Sequence, residues 1–318
     1  MENLALGIDI GGTKTAFGLV NKQGEIICEE STTTNDFAEP RDLALHILNY
    51  VSKNINLDLL CGIGIGAPNG NQFLGTIEFA PNLVWKGIVP LVQIFEEVFQ
   101  KKTFLTNDAN AAAIGEKLFG NAKDLTDFVM ITLGTGIGSG IICDGKLLKG
   151  KHALAGEYGH VRVAHNGRLC GCGRNGCLET YASSTGVVRS IKELDSVNKS
   201  KSVLIDLAKP SAKDVFDSAE KGDVFAQEIV DFTAETLGSA LADFATFSDP
   251  EAYVLFGGLS KSGDEFTNKV KIAMEANILN IYKNKIELRT SELNNLNAAV
   301  LGSSAIVFSE LNEILLNN

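Results

Sequence analysis

The run of residues best equipped for chemistry is Glu157-Tyr-Gly-His160 followed by Cys170-Gly-Cys172-Gly-Arg-Asn-Gly-Cys177-Leu-Glu179. Three cysteines this close together, separated by glycines, cannot be a packed core. A disulfide would leave one of them over and belongs to secreted chains. Three thiolates with one imidazole make a closed tetrahedral site instead. The spacing therefore predicts structural Zn²⁺ on His160, Cys170, Cys172 and Cys177, with His152 and His165 as rival fourth ligands. Two carboxylates are interleaved with these ligands, Glu157 before His160 and Glu179 after Cys177. Each can accept paired hydrogen bonds from neighbouring hydroxyls, which suits a polyol. An imidazole that binds metal through one nitrogen keeps the other for a partner, so His160 can serve both the ion and a ligand hydroxyl.

Three glycine-rich runs suit phosphate. In Asp9-Ile-Gly-Gly-Thr-Lys14 a carboxylate ends an apolar stretch, and two glycines let the backbone turn sharply beside a ligand. N–H groups in such a turn can cradle a phosphate and the Asp can hold Mg²⁺ through water; a plain hairpin turn is the alternative. Leu133-Gly-Thr-Gly-Ile-Gly-Ser-Gly140 sets glycines at alternate positions, poor material for a strand because they pack nothing. Close backbone approach to an anion accounts for them. A dinucleotide fingerprint fits badly, because the following Ile-Ile-Cys-Asp-Gly reads as strand and not helix. Phe256-Gly-Gly-Leu-Ser260 can carry the adenosine half of a nucleotide. Asn107-Asp108-Ala-Asn110 opens a helix after a short strand. Capping explains one or two of its polar residues, and Asp108 is a candidate general base for a hydroxyl.

The elements that must hold these runs follow from apolar periodicity. LALGIDI, TAFGLV and EIICEE read as a meander of three strands. Pro40 to Asn54 reads as a helix, LLCGIGIGAP as a buried strand, Leu91 to Gln100 as a helix, TFLT as a strand and Asn107 to Phe119 as a helix. The pattern then restarts with DFVMITLG, GSGIICDG and GKLLKG. Helices are predicted over Thr180 to Leu194 and Val224 to Phe247, strands at AYVLFGG and KIELRT, and a last helix near Ala298 to Leu315. Two similar α/β halves around a cleft is the simplest architecture. The boundary falls near Gly120, giving a small N-terminal domain, 1–120, and a larger domain, 121–297.

At 318 residues and 45% hydrophobic, the chain can bury more than one core. No apolar run is long enough for a membrane span, and MENLALGIDIGGTK lacks the form of a secretory signal, so a cytoplasmic setting is expected. A net charge of −11 without a basic stripe argues against nucleic acid as a partner. Cys28, Cys61 and Cys143 stand alone in apolar segments and are expected to be small buried hydrophobes.

Taken in order, Asp9–Lys14, the Gly134–Gly140 loop, Glu157-Tyr-Gly-His160 and the CGCGxxGCLE run resemble the ROK family of repressors and kinases. Ala80-Pro-Asn-Leu-Val-Trp85 and Asn107-Asp108-Ala-Asn110 make the chain most similar to the bacterial glucokinases in it. The resemblance implies an actin-like ATPase fold of the ribonuclease H-like class, with the last helix, 298–318, returning to the first domain. It implies an ATP- and Mg²⁺-dependent hexose kinase, commonly a homodimer or homotetramer. Kinases for N-acetylmannosamine, N-acetylglucosamine or fructose are the alternatives, and ATP or polyphosphate the candidate donors. Asp108 is implied as the base, with Asn82, Asn107, Glu157, His160 and Glu179 on the sugar. Asp9, Gly11, Gly12, Thr13, Lys14, Thr135 and Gly136 are implied at the phosphates and metal, and Gly257 and Gly258 at the adenosine. A side chain at Gly136 is thus expected to weaken ATP more than sugar. Tyr158 and His152 depart from the family pattern beside the sugar loop. A sugar-sensing repressor, the rival reading, needs a DNA-binding module ahead of the first strand, and only Met1 to Asn3 precede it here.

Overall fold

A computed structural model describes residues 4–295 and 298–316. The chain divides into two compact units, Met1–Leu125 with Lys146–Ala155 and Glu292–Asn318, and Thr126–Gly145 with Gly156–Ser291. Along the first unit run β1 (Leu4–Ile10), β2 (Lys14–Val20), β3 (Ile26–Thr33), α1 (Pro40–Asn54), β4 (Leu60–Gly66), β5 (Gly70–Asn71), β6 (Thr76–Glu78), β7 (Ile88–Val89), α2 (Leu91–Phe99), β8 (Thr103–Thr106) and α3 (Asp108–Phe119). Then come β9 (Phe128–Leu133), β10 (Ile137–Cys143), β11 (Lys146–Leu147), α4 (Glu179–Ala182), α5 (Ser184–Glu193), α6 (Ala212–Glu220), α7 (Val224–Ser248), β12 (Ala252–Phe256), α8 (Asp264–Asn277), β13 (Glu287–Thr290) and α9 (Ala298–Leu316).

Two five-stranded sheets share one plan. The orders are β3-β2-β1-β4-β8 and β11-β10-β9-β12-β13. In each, an antiparallel hairpin leads into parallel strands, β1 beside β4 and β9 beside β12. This repeated plan is the two-domain α/β architecture of the actin-like ATPase fold. Parallel strands need both faces covered, and β1 shows how the sequence arranges it. Leu6, Ile8 and Ile10 project to one face and join Leu43, Ile47 and Val51 of α1. Ala5 and Gly7, of the other parity, face α9. On β4, Ile63 and Ile65 likewise share the α1 face while Gly64 faces α9. A Cβ on Gly64 would lie 1.9 Å from the Ser303 carbonyl oxygen, and one on Gly7 2.2 Å from that of Val300. Only glycine lets α9 lie that close. Asp9 has the parity of Gly7, so it emerges on the α9 face.

The second unit has its own core, in which Val129, Ile131, Tyr253 and Leu255 of the sheet pack against Phe225, Ile229, Leu237 and Phe244 of α7. The buried phenol of Tyr253 donates to the Leu241 carbonyl at 2.9 Å.

Four sequence expectations are revised. The helix expected over Thr180 to Leu194 is two helices, α4 and α5, because Ser183 is extended and caps α5 by accepting the Gly186 N–H. α6 and α8 were not anticipated, although Phe266, Val270 and Met274 recur at helical spacing and are the buried residues of α8. Cys143 is exposed and Cys28 and Cys61 are only half-buried. Lys146–Ala155 groups with the first unit: Leu147 packs against Ala111, Ile114, Ala305 and Ile306, and Lys149 pairs with Glu310 at 2.8 Å. Among the described residues no helix is long and apolar enough to cross a membrane.

Candidate active site

In the first unit, β1 delivers Asp9 to its end and the chain turns through Gly11, Gly12 and Thr13 into β2. The turn is closed by Gly11 N–H donating to the Lys14 carbonyl at 2.9 Å. Thr34 braces it, donating its N–H to the Thr13 carbonyl and its hydroxyl to that of Gly11. Thr13 and Lys14 are exposed. A Cβ on Gly12 would sit 2.6 Å from the Asn82 carbonyl oxygen, so the candidate phosphate turn and the Asn82 loop touch. That loop is fixed by Trp85, whose indole N–H donates to the Phe37 carbonyl at 3.1 Å.

The Asn107-Asp108-Ala-Asn110 run divides its labour. Asn107 caps α3, its Oδ1 accepting the Asn110 N–H at 2.8 Å, which leaves its amide NH₂ for a ligand. Asp108 opens the helix and accepts the Ala109 N–H at 2.9 Å. Asn110 is buried and braces the strand end through Thr106 at 3.3 Å, and Thr106 in turn reaches Gln72 at 3.2 Å. Asp108 is open to solvent, yet enough protein surrounds its carboxyl that burial raises its pKa above the usual carboxylate range. Asp9 is raised too, to about 7, first by burial and then by the charge of Asp108. Two carboxylates are thus crowded together, an arrangement that a cation relieves.

A consequence can be measured without ligands. Folded Asp9 holds a proton up to about pH 7, whereas the unfolded carboxyl releases it near 3.8. The stability tied to that proton is complete below the unfolded pKa and lost as pH rises through the folded one. Asp9→Asn is therefore expected to gain stability relative to wild type, by on the order of a few kcal/mol, as pH rises from about 4 to about 8. Thermal melts of metal- and nucleotide-free protein check this, and a difference that does not grow with pH refutes it.

In the second unit the Gly134–Gly136 loop lies along the start of α5. Ser184 N–H donates to the Gly134 carbonyl at 2.9 Å and the Thr185 hydroxyl to that of Thr135 at 2.7 Å. Gly257 turns with φ +106, conformational space that favours glycine, and a Cβ there would strike the Leu133 carbonyl at 2.6 Å. Gly258 borders a cavity of about 600 Å³ that is also lined by Ser211, Lys213 and Phe216 of the α6 segment. The sequence reading named Gly258 but not this wall. The available signal was Ser211 with Asp214, which form a capping box at the start of α6.

The four predicted zinc ligands come together. One ligand atom from each of His160, Cys170, Cys172 and Cys177 lies within 4.8 Å of all the others, while His152 and His165 are exposed and outside the cluster. Cys170 Sγ is 3.6 Å from His160 Nδ1, and Cys172 Sγ 3.7 Å from Cys177 Sγ. With Zn–S near 2.3 Å and Zn–N near 2.0–2.1 Å, tetrahedral edges are roughly 3.6–3.8 Å, so the cluster fits that ion. Nδ1 faces the sulfurs, whereas Nε2 lies 4.0 Å from Glu157 Oε2. Glu179 Oε1 is 3.0 Å from Cys170 Sγ and 3.7 Å from His160 Nδ1.

Two further residues around this loop take their surroundings from distant elements. Tyr158, suspected at the sugar loop, turns its ring onto Phe244, centroid to centroid 4.2 Å, and packs into the core. Arg168 was not singled out. It is buried, reaches the Thr180 and Gly186 carbonyls at 2.8 and 3.1 Å and Ser190 Oγ at 2.9 Å, and pairs with Glu193 at 2.8 Å. Its guanidinium stacks 4.6 Å from the Tyr181 ring. Arg168 therefore anchors the ligand loop to α4 and α5 independently of any metal.

Comparison with known proteins agrees with this picture. The glucokinase of Halalkalibacterium halodurans is 35% identical over 320 residues, 97% of this chain and 96% of that protein. The xylose repressor of Caldicellulosiruptor bescii is 31% identical across 96% of this chain, which spans 78% of the repressor. The crystal structure of a ROK family glucokinase from Streptomyces griseus, in complex with glucose and AMPPNP, superposes with a TM-score of 0.80 at 31% identity, covering 96% of this chain and all of that one. The ROK family pattern matches residues 5–310, and with it the duplicated sheet plan and the Cys₃His cluster reach one conclusion: this chain belongs to the ROK family.

Proposed function

We propose that this chain is an ATP-dependent hexose kinase that transfers the γ-phosphoryl group of ATP to glucose. The observation that carries the reading is Asp108, a solvent-reachable carboxyl of raised pKa at the start of α3, beside a second carboxyl, Asp9. The likeness to glucokinases supports glucose as the acceptor.

Phosphoryl transfer asks the protein for positioning and charge stabilisation more than covalent work. Asp108 orients the attacking hydroxyl and accepts its proton as the oxygen–phosphorus bond forms. The start of α3 holds it there, and the helix dipole favours its anionic form. The amide of Asn107, Asn82, the carboxylates of Glu157 and Glu179, and Nε2 of His160 bind the sugar hydroxyls. The turn at Gly11–Lys14 and the loop at Gly134 and Thr135 receive the phosphates, and the cavity beside Gly257 and Gly258 the adenosine. Asp9 would hold the Mg²⁺ that accompanies ATP, which would supply neutralisation of phosphate charge. His160 Nδ1, Cys170, Cys172 and Cys177 would hold Zn²⁺. Four protein ligands would leave it no open position, so it would shape the loop and take no part in the transfer. Family resemblance adds the expectation of a homodimer or homotetramer.

The test is ADP release over glucose, fructose, N-acetylmannosamine and N-acetylglucosamine, with ATP or polyphosphate as donor. The expected result is the highest kcat/KM for glucose with ATP. A higher value for another sugar overturns glucose and leaves the kinase standing. No turnover with any of them overturns the kinase in favour of a sugar-responsive regulator, the reading that the xylose repressor likeness supports.

A further inference from the structure

Gly136 belongs to a loop read from its sequence as a phosphate cradle. Its neighbour in space is a different group. A Cβ built on Gly136 would lie 2.6 Å from Oε2 of Glu179. The other oxygen of that carboxylate, Oε1, stands 3.0 Å from Cys170 Sγ and 3.7 Å from His160 Nδ1. Glu179 is therefore wedged between the Cys₃His cluster and the loop, and little freedom is left to its carboxylate. Around it the two segments run as one block. The Gly134 and Thr135 carbonyls accept from Ser184 N–H and the Thr185 hydroxyl, and Ser183 Oγ donates to the Glu179 carbonyl at 2.5 Å. Gly134 differs, because nothing lies within 4 Å of the place its Cβ would take. A phosphate can approach the loop there without meeting protein.

We infer that Gly136 is a positioning residue for the sugar: its missing side chain leaves the space in which the Glu179 carboxylate is held for the hexose hydroxyls. This rests on the hexose-kinase reading above. Gly136 does not have the positive φ that strains other residues, and the atom a methyl would strike is the far end of a flexible side chain. Gly136→Ala should therefore fold and displace the carboxylate without breaking the loop.

The experiment is calorimetric titration of glucose and, separately, of a non-hydrolysable ATP analogue. The proteins are wild type, Gly136→Ala, Glu179→Ala and the double variant. Gly136→Ala is expected to weaken glucose by roughly tenfold or more, the scale of a lost hydrogen bond to a charged group. It should leave the nucleotide within about twofold of wild type, and in the Glu179→Ala background the same methyl should change glucose affinity by less than about twofold. If Gly136→Ala alone fails to fold and the double variant folds, the clash with Glu179 is demonstrated directly. A variant that loses nucleotide affinity and keeps glucose overturns the inference and returns Gly136 to the phosphates. An equal loss with and without Glu179 overturns it as general loop distortion. Wild type that binds no hexose overturns the kinase reading and this inference with it, an outcome visible before any variant is compared.

Discussion

Asp108→Asn is expected to lower kcat by about 10²–10⁴-fold, the usual loss on removing a positioned base, while glucose affinity stays within a few-fold of wild type. The amide keeps the shape of the carboxyl, and its oxygen can still accept the Ala109 N–H that orients the wild-type side chain. What it cannot do is take a proton. Asn107 remains as the α3 cap, so the helix start should survive. The raised pKa of Asp108 adds a second expectation. Because the base must be ionised, the acid limb of the kcat/KM profile should lie above the ordinary carboxylate pKa. Steady-state kinetics with separate glucose calorimetry decides the matter. A kcat near wild type removes Asp108 from the mechanism, and a large loss of glucose affinity makes it a binding residue instead.

Cys172→Ala is expected to lose the zinc and to raise the glucose KM at least roughly tenfold, or to abolish turnover, while nucleotide affinity survives much better. Cys172 is the exposed member of the cluster, so its removal leaves no cavity in the core, unlike removal of buried Cys170 or Cys177. The metal's contribution can therefore be separated from packing. His160 and the carboxyl of Glu179 meet at this cluster, and Glu157 is three residues from His160. Without the ion, three sugar contacts lose a common anchor. Arg168 limits the damage by holding the loop base to α4 and α5. The change should thus be a local loosening, with a melting temperature lowered but cooperative. Metal analysis with parallel glucose and nucleotide titrations is the check. A zinc-free variant with normal glucose affinity refutes the link, and wild type with much less than about one zinc per chain refutes the site.

The buried cores and the ligand set were legible before any coordinates, for a physical reason. Alternation of large residues and glycine along LALGIDI and CGIGIG assigns each strand face, because strand side chains alternate strictly. In the structure one face takes a helix at ordinary distance and the other one pressed onto the backbone. The boundaries predicted for α1, Pro40 to Asn54, are those observed, since the helix is set by its own spacing of Leu43, Ile47 and Val51. The Cys₃His cluster was readable because three of its four members lie within one short loop, where chain connectivity alone brings them close.

Other features depend on residues far apart in sequence, and no local pattern encodes them. Tyr158 turns to the core because Phe244 on α7 offers a ring to pack on. Gly136 faces Glu179 because the loop after β9 is laid along the start of α5. Arg168 is buried because α4, α5 and α7 together supply its acceptors and aromatic faces, and no single segment could satisfy its charge. Periodicity and spacing therefore determined the strands of the two five-stranded sheets, most of the helices and the Cys₃His cluster, but not the short strands β5, β6 and β7. Tertiary packing decided which side chain each glycine makes room for and what holds each carboxylate in place, because those are contacts between separate elements.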